Sequence, residues 1–117
     1  MKNKFYKNLG ETADELGYPG VGRNNLAELL KNWGLLDNNA ELNSDHPAAG
    51  HFKTVTKTLP NGWAHNTVLS KPSGRDYIRN RICNDLGLKN DEVVGHIRKI
   101  KRKRRAEELR QWSNNIM

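Results

Sequence analysis

Residues 8–36 constrain the fold of this chain more than any other stretch of its 117 residues. Two segments with a helical spacing of apolar residues, 9–16 and 26–33, flank the sequence YPGVG. Proline lacks the amide hydrogen that a helix interior needs, and glycine is flexible, so this sequence predicts a turn. Two short helices joined by a turn are typical of a helix-turn-helix. We therefore expect residues 8–36 to organise the domain.

The ends of both helices carry recognisable signals. Asn8 followed by Glu11 resembles a capping box, with asparagine in the place of serine or threonine. Gly17 is a typical helix stop. In the second helix, apolar residues at i, i+3, i+4 and i+7 indicate one buried face, formed by Leu26, Leu29, Leu30 and Trp33.

A β-hairpin is predicted after the polar segment 37–50, which we interpret as a loop. From Phe52 the sequence alternates with period two, and its threonine and valine residues favour a strand. Pro60-Asn61-Gly62 is a hairpin signal, and residues 63–70 supply the return strand. A lone hairpin is marginally stable, so it must pack against the helices. Core packing is the expected role of Trp63, with an exposed anchor as the alternative.

Two further helices are predicted beyond the hairpin. Pro72 and Ser73 begin the first, in which Cys83 next to Ile82 is expected to lie in the core. Asn90 can cap the second. The pattern predicts an α+β fold: a winged helix-turn-helix of three helices and a β-hairpin wing over residues 1–88, followed by a basic C-terminal helix over 89–117.

The positive charge of the chain is concentrated at one end. Residues 96–117 carry eight basic and two acidic residues, whereas the other residues carry twelve and eleven. The body is therefore close to neutral, and the basic end favours a polyanionic partner such as nucleic acid. No run is apolar enough to span a membrane, and no secretory signal is present. We expect a cytoplasmic protein.

Catalysis and cofactor binding find little support in the sequence. A single cysteine excludes an internal disulfide. The four histidines have no metal-ligand spacing, and no phosphate-binding glycine loop is present. We predict neither an enzyme nor a bound cofactor or metal; the histidines concerned are His46, His51, His65 and His96.

Several pieces of the sequence, in this order, resemble the C-terminal KilA-C type domain of phage antirepressor proteins: E-T-A-D-E-L-G at 11–17, N-L-A-E-L-L-K-N-W-G-L-L at 25–36, Asn43 and Pro47, G-H-F at 50–52, and T-V-L-S-K-P-S-G-R-D-Y-I at 67–78. The last piece is similar to the family's T-x-V-T-x-K-G-x-x-Y-I ending, with Pro72 and Ser73 inserted. The resemblance covers roughly residues 9–82. It implies a small phage or prophage regulator with a winged-helix fold.

Three sets of residues are candidates for nucleic-acid contact. Arg23, Asn24 and Asn25 would begin the recognition helix, where arginine suits guanine and asparagine suits adenine, and Lys31 lies further along it. The alternative is a solvated helix start that Asn24 caps. Lysines of the hairpin would contact phosphates, or would only protect a strand edge; they are Lys53, Lys57 and Lys71, with His65 beside them. The basic block would bind phosphates without sequence preference, through Arg98, Lys99, Lys101, Arg102, Lys103, Arg104 and Arg105.

Two functional hypotheses of different classes follow. The first is a phage-type DNA-binding transcriptional regulator or antirepressor that contacts duplex DNA with its winged helix and basic tail. The second is a protein-binding inhibitor of a repressor or host-defence complex, such as an anti-CRISPR, which the near-neutral body favours. RNA binding by the arginine-rich tail is a third, weaker hypothesis. The sequence also allows a homodimer through Ile97, Ile100, Leu109 and Trp112.

Overall fold

The computed structural model describes residues 5–116, with side chains described as far as Trp112. These residues form an α+β fold of four helices and a three-stranded antiparallel sheet in the order β1-β3-β2. This architecture is compatible with a winged-helix fold. Its elements are β1 (Lys7–Asn8), α1 (Leu9–Leu16), α2 (Arg23–Asn32), β2 (Phe52–Thr58), β3 (Ala64–Ser70), α3 (Pro72–Asn80) and α4 (Val93–Ile116).

The predicted capping box is present at the start of α1. Asn8 Oδ1 accepts a hydrogen bond from the Glu11 N–H at 2.8 Å, and Glu11 Oε1 accepts one from the Asn8 N–H at 3.1 Å. These bonds satisfy donors that the start of a helix otherwise leaves free. At the other end, Gly17 has a φ of 69° and closes the helix as predicted.

α2 begins directly at Arg23. Gly22 occupies the N-cap position, and no side chain caps this helix, so the interpretation of Asn24 as its cap is wrong. The predicted apolar face is confirmed, because the four residues at helical spacing are all buried: Leu26, Leu29, Leu30 and Trp33. α2 therefore lies on the core along one side and leaves the side of Asn24 exposed.

The polar segment 37–50 contains a tight turn within the predicted loop. Leu36 and Leu42 form an antiparallel bridge, and Asp37 Oδ1 accepts hydrogen bonds from two backbone N–H groups inside the turn. Ala40 completes the turn with a φ of 61°. Its Cβ makes this left-handed conformation unfavourable, whereas glycine adopts it freely.

Replacing Ala40 with glycine is expected to stabilise the fold by about 0.5–1 kcal/mol, because relief of the left-handed strain exceeds the added backbone entropy. Urea unfolding measures this change. Ala106→Gly is the matched control: Ala106 is exposed within α4, where glycine costs about 1 kcal/mol. Equal destabilisation by the two glycine variants would contradict the prediction.

The predicted hairpin is confirmed, with Phe52 opposite Ser70 and Thr58 opposite Ala64. Phe52 and Val68, at the inner end of the hairpin, are buried in the core. The predicted core position of Trp63 is wrong, since its side chain is 72% exposed. Residues 56–66 are all exposed, which shows that the outer end of the hairpin extends beyond the core.

Cys83 is also exposed, so its predicted place in the core is wrong. It lies in a π-helical turn, Arg81–Asp85, that continues from α3. Ile82 is buried in the same turn. Successive side chains of a helical turn point in different directions, so the position after a core residue can face solvent.

The first turns of α4 belong to the core. Val93 and Ile97 are fully buried, and Ile100 packs against the core. Burial of Ile97 removes it from the dimer surface that the sequence suggested. The domain boundary at residue 88 remains a prediction. Val93 and Ile97, which lie beyond this boundary, pack in the same core as the residues before it.

A buried ionic network joins the strands to α1 and α3. Arg75 is 4% exposed, and its guanidinium pairs with Glu15 and donates to the Ser70 carbonyl at 3.0 Å. Lys7 Nζ donates to the same Glu15 carboxylate at 3.1 Å. Burial by itself would raise the pKa of Glu15, but the hydrogen bond from Lys7 and the charge of Arg75 lower it below the usual value.

Candidate nucleic-acid interface

Two members of the basic block on α4 are used inside the chain. Lys101 Nζ donates to Asn25 Oδ1 at 2.6 Å, and the Arg104 guanidinium pairs with the Glu28 carboxylate. Asn25 and Glu28 both belong to α2, one turn apart. These two contacts hold α4 alongside α2, with the two helices running in the same direction. Lys101 and Arg104 therefore have a structural role in the packing of α4 on α2.

The other five basic residues of the block are exposed to solvent. Among the residues that the structure describes, none of these five forms an ion pair or a side-chain hydrogen bond. We call this set the cationic face of α4; it consists of Arg98, Lys99, Arg102, Lys103 and Arg105. Cations held on a rigid helix without a partner in the chain can contact phosphates.

The four candidate residues of α2 have different environments. Arg23 and Asn24 are exposed. Asn25 is held within the chain, because its amide donates to the Gly20 carbonyl at 2.8 Å and also accepts from Lys101. Lys31 is partly exposed and lies 3.8 Å from Glu28. Arg23 and Asn24 are therefore the residues of this set that are free to contact a base.

A groove of about 410 Å³ lies between α2 and β3. α2 and the predicted wing, which the sequence treats as separate contacts, thus share one concave surface. The groove combines cationic and hydrogen-bonding side chains from its two walls: Arg23, Asn24, Lys31, His65, Asn66 and Thr67. Ala40 lines the groove beside them.

The lysines of the hairpin are placed differently from one another. Lys57 is exposed opposite His65, near the outer end of the hairpin. Lys53 is exposed, and its Nζ lies 5.0 Å from the centroid of the Tyr6 ring. Lys71 Nζ donates to the Gly50 carbonyl at 2.8 Å and is engaged within the chain. Lys53 and Lys57 therefore remain the candidates for phosphate contact on the hairpin.

Sequence reasoning missed the role of Glu28. Its carboxylate lies between Lys31 and Arg104, and its side chain is 15% exposed. It anchors a helix that lies far along the chain, and no local pattern indicates such a partner. The polar residues of β3 that line the groove were missed for the same reason, apart from His65.

A metal-ligand cluster and a membrane-spanning helix are both absent from the part of the chain that the structure describes. Its histidines, cysteine and carboxylates form no group of three or more that could hold a metal ion. No helix within residues 5–116 is long and apolar enough to cross a membrane. Comparisons with protein-family models, with curated proteins and with solved structures found no match.

Proposed function

We propose that this chain is a winged-helix protein that binds nucleic acid, with duplex DNA as its expected target. The observation that carries the proposal is the cationic face of α4: five exposed cations without a partner in the described chain. Neutralising phosphates releases the counterions condensed around a nucleic acid, which supplies binding energy without base recognition. A helix that only supports a fold has little need for so many unpaired cations.

The placement of α2 and the hairpin supports a duplex as the target. In a helix-turn-helix the second helix enters the major groove, and here that helix would be α2, with Arg23 and Asn24 at its exposed start. Arginine and asparagine can make paired hydrogen bonds to guanine and adenine. Lys53 and Lys57 on the hairpin would contact the backbone and fix the register.

The biological role that we propose is transcriptional regulation in a cytoplasm, of the kind that the resemblance to phage antirepressor domains implies. DNA binding is the part of this role that the geometry supports. Five unpaired cations on one helix provide affinity, and the exposed start of α2 provides candidate residues for sequence preference.

Fluorescence anisotropy with a labelled random duplex, at about 50 and 200 mM salt, tests the proposal. The full chain should bind, and its affinity should fall at least tenfold between the two salt concentrations if three or more phosphates are contacted. A chain truncated before residue 96 cannot serve as the control that lacks the basic block, because it would also lose Ile97 from the core. Absence of binding at the lower salt concentration would exclude the proposal.

Replacing Arg23 with alanine is expected to weaken binding to a preferred sequence, selected from a random pool, by about tenfold, since one bidentate base contact contributes about 1–3 kcal/mol. Binding to unrelated duplexes should change much less. Lys57→Ala is the matched control, because loss of a phosphate contact weakens binding to all sequences alike. If Arg23→Ala left the ratio of preferred to unrelated affinity unchanged, α2 would not read the major groove.

A protein-binding inhibitor is the second candidate function, and one observation favours it. α4 lies against the side of α2 that carries Asn25 and Glu28. This leaves less room for a DNA duplex to place its major groove around α2. A protein partner could instead use the groove beside α2. Capture of a host protein that survives nuclease treatment, together with no duplex binding at low salt, would support this candidate over the first.

A further inference from the structure

One side of α4 carries an unbroken line of large side chains, at alternating spacings of four and three residues. On an α-helix, with about 100° per residue, these positions point within about 40° of a common direction. That direction lies about 120° from the side that Ile97 and Arg104 turn towards the body. We call these residues the α4 line; they are Arg98, Arg102, Arg105, Leu109 and Trp112.

The two ends of the α4 line differ in chemistry. The first three residues are exposed arginines of the cationic face. The last two are exposed apolar residues, with Leu109 61% and Trp112 66% exposed. At a rise of about 1.5 Å per residue, the line is about 21 Å long, the length of a few nucleotides of an extended strand. A partner has to match charge at one end and an apolar surface at the other.

A nucleic acid duplex matches only one end of this line. Its phosphates face outward, but its bases are stacked inside, where an aromatic side chain on a flanking helix does not reach them. An unpaired strand presents phosphates and base faces together, and its bases stack readily on tryptophan. Arginine side chains can neutralise the phosphates of the same strand.

We propose that the α4 line binds an unpaired nucleic acid strand, with its arginines on successive phosphates and Trp112 stacked on a base. This inference rests on the proposed function, because the same cationic face binds phosphates in both cases. It adds a preference for single strands over duplexes at α4. Single-stranded DNA and RNA share the chemistry, so the test includes both.

The spacing of the α4 line is also that of a coiled coil, which makes a second copy of the chain the competing occupant. In a parallel pair, however, the three arginines would face their own copies, and like charges in contact repel. An antiparallel pair that buries Leu109 and Trp112 against their own copies would leave Arg98 and Arg102 outside the contact. An unpaired strand uses every residue of the line.

The test measures binding of the full chain to a labelled 20-nucleotide thymidine strand, the matching uridine strand and a random duplex at about 100 mM salt. Trp112→Ala should weaken single-strand binding by roughly tenfold, the usual effect of losing one stacked base. Duplex binding should stay within about twofold, since phosphate contacts supply it. Trp112→Phe should restore part of the single-strand affinity.

Trp63→Ala is the matched control, because Trp63 is as exposed as Trp112 but lies on the hairpin. It should leave single-strand binding unchanged. Equal effects of Trp112→Ala on single strands and duplexes, or no effect on either, would overturn the inference while leaving the proposed function standing. Sedimentation tests whether a second copy of the chain occupies the α4 line instead. If the chain is a dimer that Trp112→Ala dissociates, and single-strand affinity is unchanged, the inference is also overturned. No binding to any nucleic acid would defeat the proposed function itself.

Discussion

Replacing Arg75 with leucine is expected to destabilise the folded chain by about 3 kcal/mol, the lower end of the usual effect of breaking a buried ion pair. The substitution removes one of the two cations that contact the Glu15 carboxylate, the other being Lys7, and leaves the Ser70 carbonyl without this donor. A domain of this size has a total stability of about 5–15 kcal/mol. The variant should therefore unfold at a much lower urea concentration.

The matched control is Arg79→Leu, one turn further along the same helix. Arg79 donates to the Glu15 carbonyl at 3.1 Å, but its side chain is 43% exposed. Its ion pair with Asp76 is exposed, and such pairs contribute about 0.2–1 kcal/mol to stability. This variant should therefore remain close to the wild type in stability. If the two leucine variants lost equal stability, burial of Arg75 would not be the reason for its effect.

The same network predicts how stability depends on pH. Because the pKa of Glu15 is lowered in the folded chain, from its usual value of 4.5, the folded state favours the ionised carboxylate. This contribution is fully present above the unfolded pKa and is lost as the pH falls through the lowered folded pKa. Urea unfolding at a series of pH values below about 5 should show the loss, and Glu15→Gln should reduce it.

The parts of the fold that could be predicted from the sequence depend on neighbours within one or two turns. The capping box at Asn8, the stop at Gly17 and the apolar face of α2 are all set by residues no more than seven positions apart. The hairpin is equally local, because its strand alternation and its turn lie side by side in the sequence. Each of these features is determined by residues that are close together in the sequence, so the sequence is sufficient to predict it.

The errors concern burial, which depends on where an element ends relative to the core. Trp63 is an aromatic residue beside a strand, and composition alone favours a buried position for it. Its exposure follows from the length of the hairpin, whose outer end extends beyond the helices. Cys83 differs from the buried Ile82 by one helical position, which is enough to turn its side chain to solvent.

Long-range pairing explains the rest of the candidate site. The sequence shows a run of basic residues on α4 but cannot separate Lys101 and Arg104, which anchor the helix, from the five that are free. That separation requires the position of Glu28, which lies 76 residues before Arg104. The groove between α2 and β3 likewise exists only once the chain has folded.

Reversing the charge of Arg98, Arg102 and Arg105 to glutamate is expected to reduce duplex affinity by at least about 100-fold at 0.1 M salt. Three phosphate contacts are lost, and three negative charges are placed beside the polyanion. The slope of log affinity against log salt should become shallower by about 3, since each neutralised phosphate contributes about 0.9. Fluorescence anisotropy over a salt series measures both quantities.

The control for this triple variant carries lysine at the same three positions. Lysine keeps the charge, so non-specific phosphate binding and its salt slope should change little. Lys101 and Arg104 stay unchanged in both variants, because they hold α4 against α2. Far-UV circular dichroism should show the same helical content for both, which separates loss of binding from loss of folding.

The triple variant also separates the two candidate functions. Binding of nucleic acid requires the positive charge of these three residues, whereas the proposed protein partner would use the groove beside α2. Unaltered binding by the glutamate variant would show that the cationic face does not contact phosphates. Near-complete loss of its duplex binding, with an unchanged fold, would show that the cationic face supplies most of the affinity. The near-neutral body, with twelve basic and eleven acidic residues outside 96–117, cannot supply the electrostatic affinity by itself. Affinity from α4 and sequence preference from α2 are then two measurable properties of adjacent helices.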